Sequence, residues 1–313
     1  MTKPRPFRFG VQIAAAESRR HWQEKARTAE GLGYDVLQIP DHFGGQFAVG
    51  PALAVAAAAT ARLRIGTLVL QNDLRHPALL AKEAATLDVL SDGRFELGIG
   101  AGGSFPPDFA WTGIPFDPPA TRVGRLEESL QITKAIFGQN PVTFAGHYYT
   151  ITGYDGLPKP VQRPHPPIFV GAGGPRMLSL AAREADIIGL LPTMLPAGGQ
   201  FRMEQCTSSA VAAQIDLIRR AAPERFPQLE FNILLQRLIL TDDTRRAGED
   251  LSREWTPLTP TEILDTPSLL IGTIDTIVER LQERRERLGI SYVVVFERDM
   301  EAFAPVVARL AGT

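Results

Sequence analysis

The chain has 313 residues, and 33 Lys+Arg against 35 Asp+Glu leave a net charge of −2 with neutral histidines. That balance argues against nucleic acid or an anionic membrane surface as a main partner, and 44% hydrophobic with 22% charged residues excludes general disorder. The single cysteine, Cys206, can form neither an intrachain disulfide nor a zinc site by itself, so a cytoplasmic location is the expectation.

The opening segment runs directly into residues 7–13, which alternate like a strand and are too short for a signal-peptide core. Helix periodicity follows over 18–32, with Gly31 and Gly33 closing it. Next come a strand over 36–39, a helix over 50–61 and a strand over 64–70. The alanine-rich stretch 50–61 falls far short of the ~18 apolar residues of a membrane span. A helix over 77–90 opens on Pro77, and Asp88 with Ser91-Asp92-Gly93 turns the chain into a strand over 94–99. The remaining strands are expected over 167–171, 186–191, 230–240 and 291–296, and the remaining helices over 121–137, 175–184, 204–222, 244–254 and 273–288. Eight strands and eight helices result, and the strands read as nearly continuous apolar runs, which suits a parallel sheet covered on both sides.

Length alone allows one α/β barrel or two smaller domains. Spacing chooses the barrel, because the first four strands start near 8, 36, 64 and 94, about one compact βα unit apart. The next start, near 167, leaves an excess read as an insertion over about 103–166, with a hairpin over 142–151 turning at Ala145-Gly146. A second insertion, about 192–203, is read as a lid over the barrel mouth. The expected architecture is a (β/α)8 TIM barrel of one domain over 1–313, with insertions after strands 4 and 6, and active sites of such barrels lie on the loops that follow the strands.

Three such loops carry candidate chemistry. Asp41-His42 follows the second strand, where an imidazole can exchange a proton near neutral pH and a neighbouring group can set its tautomer. Gly98-Ile99-Gly100-Ala101-Gly102-Gly103-Ser104 follows the fourth; its sequel Phe105-Pro106-Pro107-Asp108 is read as no helix start, which argues against a Rossmann fingerprint and favours close backbone approach to something flat and bulky. Gly171-Ala172-Gly173-Gly174-Pro175 runs into a helix next to Arg176, a ready phosphate site. His21, His76, His147 and His165 show no metal-ligand spacing, Ser18, Ser91, Ser104 and Ser129 lack a G-x-S-x-G setting, and Cys206 has no obvious histidine partner. The carboxylate pairs Glu127-Glu128 and Asp242-Asp243 read as solvated faces.

Taken together, the chain resembles the luciferase-like superfamily of flavin- and deazaflavin-dependent oxidoreductases. The carriers are Pro40-Asp41-His42-Phe43, Leu63 to Leu70, Arg75-His76-Pro77, Leu90 to Gly100, Pro158 to Pro167, the Gly171–Pro175 loop and Ala185-Asp186. Their order and spacing are more specific than any one of them. The resemblance implies a TIM barrel with a cofactor ring at its mouth, against a third-strand bulge with a non-proline cis peptide, by position Leu68–Val69. It places Asp41, His42, Thr67, Leu68 and Val69 beside the ring, and Gly100, Ala101, Gly102 and Gly103 near the ring or ribityl chain. Ala172, Gly173, Gly174, Pro175 and Arg176 would lie at the phosphate.

Asp-His-Phe and the Gly-Thr-x-Val strand look more like the branch using coenzyme F420, with His42 as a proton donor or electrostatic partner for hydride transfer at C5. The substrate would be a small, mostly apolar molecule with a C=C, C=N or C=O group. Two alternatives are an FMN-dependent monooxygenase and a binding barrel without cofactor. F420-dependent glucose-6-phosphate dehydrogenases carry an acid after the glycine pair and a tryptophan shortly after the histidine; here Gly103 and Gly44-Gly45-Gln46-Phe47 stand there, so a sugar phosphate is not expected and another proton source is needed. A homodimer is the family expectation.

Overall fold

The computed structural model describes residues 4–103, 105–193 and 201–313. The chain begins with β1 (Arg8–Gln12), α1 (Arg19–Gly31), β2 (Val36–Ile39), α2 (Val49–Ala59), β3 (Arg64–Thr67), its short continuation β4 (Leu70–Gln71), α3 (Pro77–Leu90) and β5 (Phe95–Gly100). An excursion follows: α4 (Pro107–Thr112), α5 (Pro119–Phe137) and an antiparallel hairpin of β6 (Val142–Ala145) and β7 (Thr150–Tyr154). Next come β8 (Ile168–Ala172), α6 (Pro175–Glu184), β9 (Ile187–Leu190), α7 (Ser208–Ala221) and β10 (Glu230–Leu234). The chain ends with β11 (Arg237–Leu240), α8 (Thr244–Glu254), α9 (Pro260–Asp265), β12 (Leu269–Gly272), α10 (Ile274–Leu288), β13 (Ile290–Phe296) and α11 (Met300–Leu310).

Strands β1, β2, β3, β5, β8, β9, β10 and β13 pair in parallel, each with the next, and β13 returns to β1. The ring is a closed eight-stranded (β/α)8 TIM barrel. Alternation within each strand sorts the side chains. Val36, Phe169, Ile187, Tyr292 and Val294 form one buried cluster inside the ring, while Leu37, Ile65, Leu97, Val170, Ile188 and Val293 belong to the core beneath the helices. Glycine makes room for the large interior rings: a Cβ at Gly189 would lie 2.6 Å from the Phe169 ring.

At the amino-terminal end the ring is closed by charge. Arg64 Nε donates to Glu96 Oε1 at 2.6 Å, Arg8 donates to Glu96 and, at 2.8 Å, to Glu230, and the Arg8 guanidinium lies 4.6 Å from the centre of the Tyr292 ring. Helix starts are set by side-chain caps: Ser18 accepts from His21 N–H, Thr207 from Ala210 N–H, Asp243 from Arg246 N–H and Thr273 from Thr276 N–H.

Several expected elements change. Residues 64–70 form not one strand but β3 and β4, interrupted at a cis Leu68–Val69 peptide bond. Residues 230–240 also divide: β10 stays in the barrel, whereas β11 pairs with β12 in a separate two-stranded sheet. Helix 244–254 therefore covers this side sheet rather than the barrel, with Leu251, Trp255, Leu258, Ile263, Leu269, Ile271 and Cys206 in a second apolar cluster. The eighth barrel helix is α11, whose Met300, Phe303, Val306, Val307 and Leu310 are buried at helical spacing. The hairpin turn spans 146–149 rather than Ala145-Gly146, because the Glu128 carboxylate accepts the N–H groups of His147, Tyr148 and Tyr149. The Asp88 carboxylate accepts from Val161 and Gln162, while its backbone carbonyl accepts Gly93 N–H at 2.8 Å and closes the expected turn into β5. Of the expected lid, 194–200 lie outside the described residues.

Candidate active site

Chain order places the three candidate loops at the carboxyl ends of neighbouring barrel strands. His42 follows β2, the cis bond ends β3, the glycine loop ends β5, and the Gly171–Pro175 loop ends β8. Val69 joins the last three: a Cβ at Gly100 would lie 3.1 Å from its Cγ2, and one at Gly171 3.9 Å. Gln12, at the end of β1, donates its amide N–H to the Leu68 carbonyl at 3.0 Å and so fixes the cis segment.

His42 has a partner that the sequence reading passed over. Pro106 and Pro107 occupy the N-cap and first turn of α4, where a missing N–H is harmless, so a helix does start after the glycine loop. It carries a buried Asp108, whose Oδ2 lies 2.6 Å from His42 Nδ1. The same carboxylate accepts Phe43 N–H at 2.9 Å and a Gln71 side-chain N–H at 2.9 Å. Burial pushes the Asp108 carboxyl up, but these donors outweigh it and hold it below the ordinary value. The available sequence signal was Pro-Pro followed by an acid in a first turn.

Two residues expected at the cofactor also hold the mouth of the barrel together. Asp41 accepts both Arg75 Nη groups, at 2.6 and 3.1 Å, and Gln71 N–H at 2.9 Å, so its carboxylate organises the loop. Thr67 is buried, and its hydroxyl donates to Gly98 O at 2.6 Å while accepting Gly98 N–H at 2.8 Å, which ties β3 to β5. The aromatic neighbours of His42 come not from Gly44–Phe47, since Phe47 packs on Trp22, but from the loop after β5: Phe105 stands edge-on to His42 with ring centres 5.8 Å apart, and Trp111 packs on Phe105.

Gly103 stands where the resemblance expects an acid, and the backbone explains why a side chain does not fit. Its φ is +95°, and a Cβ there would lie 2.2 Å from Arg122 Nη1. Arg122 is buried and donates to the carbonyls of Ala101 and Gly102, while burial pushes its pKa down. Gly103→Glu is therefore expected to cost about 1–3 kcal/mol in thermal or urea unfolding without raising turnover; a stable and faster variant would contradict this reading of the loop.

The Gly171–Arg176 segment opens α6 without a side-chain cap. Gly174 caps α6 without any side chain, and the first helical bond, Leu178 N–H to Gly174 O at 2.9 Å, leaves the preceding N–H groups of Arg176 and Met177 at the helix start. A Cβ at Gly173 would lie 2.7 Å from Leu191 O and 2.9 Å from Pro192 O, so only glycine fits. Gln214 clamps this turn by donating to Leu191 O at 2.8 Å, and the Arg176 side chain is exposed.

A cavity of about 520 Å³ lies beside this constellation, between the ends of β9 and β10 and the side sheet. Leu191, Met203, Ile233, Leu234 and Trp255 line it with the polar Gln205, Gln236 and Glu254, and no Lys or Arg is among its described lining. Leu191 also borders Gly171, 3.4 Å from where its Cβ would be, so the one side chain lies between the cavity and the Gly171–Pro175 loop.

A sequence model of the luciferase-like monooxygenase family matches residues 5–260. An F420-dependent glucose-6-phosphate dehydrogenase of Nakamurella multipartita is 32% identical over 82% of this chain and 74% of its own. An FMNH2-dependent dimethylsulfone monooxygenase of Pseudomonas putida is 31% identical over 56% of this chain, and that match spans 51% of the relative's length. The fold matches that of a coenzyme F420-dependent tetrahydromethanopterin reductase from Methanopyrus kandleri, with a TM-score of 0.76, 18% identity and 98% of each chain covered. With more than half its length under the family's pattern and its loops arranged at one barrel mouth, the chain belongs to the luciferase-like monooxygenase family.

Proposed function

We propose that this protein is a coenzyme F420-dependent oxidoreductase acting on a small, mostly apolar organic substrate with a C=C, C=N or C=O group. The observation that carries the reading is the juxtaposition, at one barrel mouth, of His42 on its buried Asp108, the glycine loop and a helix start with free N–H groups. The donor set fits the cofactor. Gly100–Gly103 allow close approach of a flat ring, and the N–H groups at the start of α6 with Arg176 suit a phosphate and an anionic tail. When bound, F420 supplies hydride exchange at the C5 of its deazaflavin.

The protein's own share is placement, exclusion of water and handling of a proton. His42 holds or moves the proton at a ring nitrogen, and the exposed rings of Phe43, Phe105 and Trp111 form an apolar rim beside it. The cavity beside Leu191 takes the apolar part of the substrate; the absence of Lys and Arg from its described lining speaks against a phosphorylated sugar. The proposal extends to a homodimer, for which Leu79, Val89 and Leu90 offer exposed apolar surface on α3.

Fluorescence titration tests the cofactor. F420 is expected to saturate the protein at micromolar concentration, with FMN binding at least tenfold more weakly, a gap of about 1.4 kcal/mol. Tight FMN and weak F420 binding would install the monooxygenase reading that the Pseudomonas relative represents. Binding of neither would leave a barrel without cofactor.

A further inference from the structure

The resemblance asks for an acid at position 103, which is glycine; the chain has its acid at Asp108, on α4, against the histidine itself. Resting on the reading of His42 as the proton-handling residue, we infer that Asp108 is a positioning residue that keeps the His42 proton on Nδ1 and leaves Nε2 as the nitrogen that exchanges protons with substrate.

The geometry supports this in three steps. A carboxylate can only accept, so the 2.6 Å contact requires Nδ1 to carry hydrogen. The carboxylate is itself immobilised, because Phe43 N–H occupies Oδ1 and a Gln71 N–H shares Oδ2 with the ring. Gln71 is in turn fixed by a second bond from the same Nε2 to Asp41 O at 2.8 Å, and Asp41 by Arg75. An acid serving only to pin the loop would be satisfied by Phe43 and Gln71; the third bond goes to the imidazole. With the proposed deazaflavin bound as hydride acceptor or donor, Nε2 would accept the proton of a substrate hydroxyl as its carbon gives up hydride, or return that proton to the carbonyl oxygen as the carbon gains hydride. Either way one proton and one hydride move, and the Asp108–Nδ1 bond is kept.

The protein labelled with 15N-histidine tests this without cofactor. His42, assigned with the His42→Ala variant, is expected to show a protonated Nδ1 and, when neutral, a bare Nε2; a neutral ring with the proton on Nε2 would overturn the inference. Asp108→Asn puts an amide beside the ring and is expected to disturb that pattern. It is also expected to lower kcat about 30- to 100-fold, within what a placed acid–base group supplies, while KM and cofactor affinity change less than about threefold. Asp108→Glu, which keeps the charge, is expected to recover the tautomer signature and at least a tenth of the rate. Wild-type kcat and wild-type tautomer in Asp108→Asn would show that the carboxylate only holds the loop. Because the tautomer is read on the protein alone, failure of F420 to bind would sink the proposed cofactor and leave the His42–Asp108 assignment standing on its own result.

Discussion

Glu96→Gln is expected to lower the free energy of unfolding by about 3–5 kcal/mol at pH 7, the range found when one member of a buried ion pair is removed. Glu96 is buried inside the barrel, between Arg8 of β1 and Arg64 of β3, and the substitution leaves both guanidiniums short of their shared counter-charge. Arg8 keeps Glu230 and Arg64 keeps Gln162 Oε1 at 3.0 Å, so the loss falls on the barrel's interior layer rather than on any one loop.

The sign of the pH dependence follows from the same contacts. Burial alone pushes the Glu96 carboxyl up, but Arg8 and Arg64 outweigh it and hold it below its ordinary value. A carboxyl with a depressed folded pKa contributes stability that is present above its unfolded pKa, about 4.3, and is lost as pH falls through the folded value. Burial pushes Glu230 the other way, so its contribution has the opposite sign. Comparing wild type with Glu96→Gln isolates the first term. Urea unfolding is expected to show the widest gap at pH 7 and a narrower one below about pH 4. A gap that stays constant over that range would mean that shape, not charge, accounts for the cost.

The barrel was legible in the sequence because its strands are short apolar runs at near-constant spacing and its helices open on local signals such as Ser18, Pro77 and Pro175. What local pattern cannot say is which sheet a strand joins. Residues 230–240 read as one apolar run, yet the chain leaves the barrel at Leu235 and Gln236, and β11 finds β12, whose short Leu-Leu-Ile stretch carries little signal of its own. The count of eight helices came out right by compensation: α8 of the side sheet stood in for α11, whose apolar spacing is clear but which contains Pro305.

The site divides in the same manner. The glycines and His42 are loop residues next to strand ends, visible in one dimension. Asp108 is 66 residues from His42, and Gln71, between them in the chain, is 37 from Asp108, so their convergence exists only after the barrel closes. Thr67 and Asp41 lie in the expected places, but their polar atoms are taken by Gly98 and Arg75, a matter of partners that position alone does not reveal.

His42→Ala is expected to slow hydride transfer about 10²- to 10³-fold in single-turnover measurements, as loss of a placed acid–base group does. On the free-energy scale a factor of 10² is about 2.7 kcal/mol of transition-state stabilisation. The fold is expected to survive, because the ring is 27% exposed and Asp108, once its ring partner is gone, keeps Phe43 N–H and Gln71. The space left between Phe105 and Asp108 is edged by an aromatic ring and a carboxylate, which suits an added imidazole, and partial recovery in its presence is expected. The split of the loss between kcat and KM decides the role. A fall in kcat with F420 affinity unchanged places His42 at the proton, whereas a rise in KM alone makes it a wall of the substrate site. Full-speed transfer in the variant would remove it from the chemistry and pass the proton to solvent.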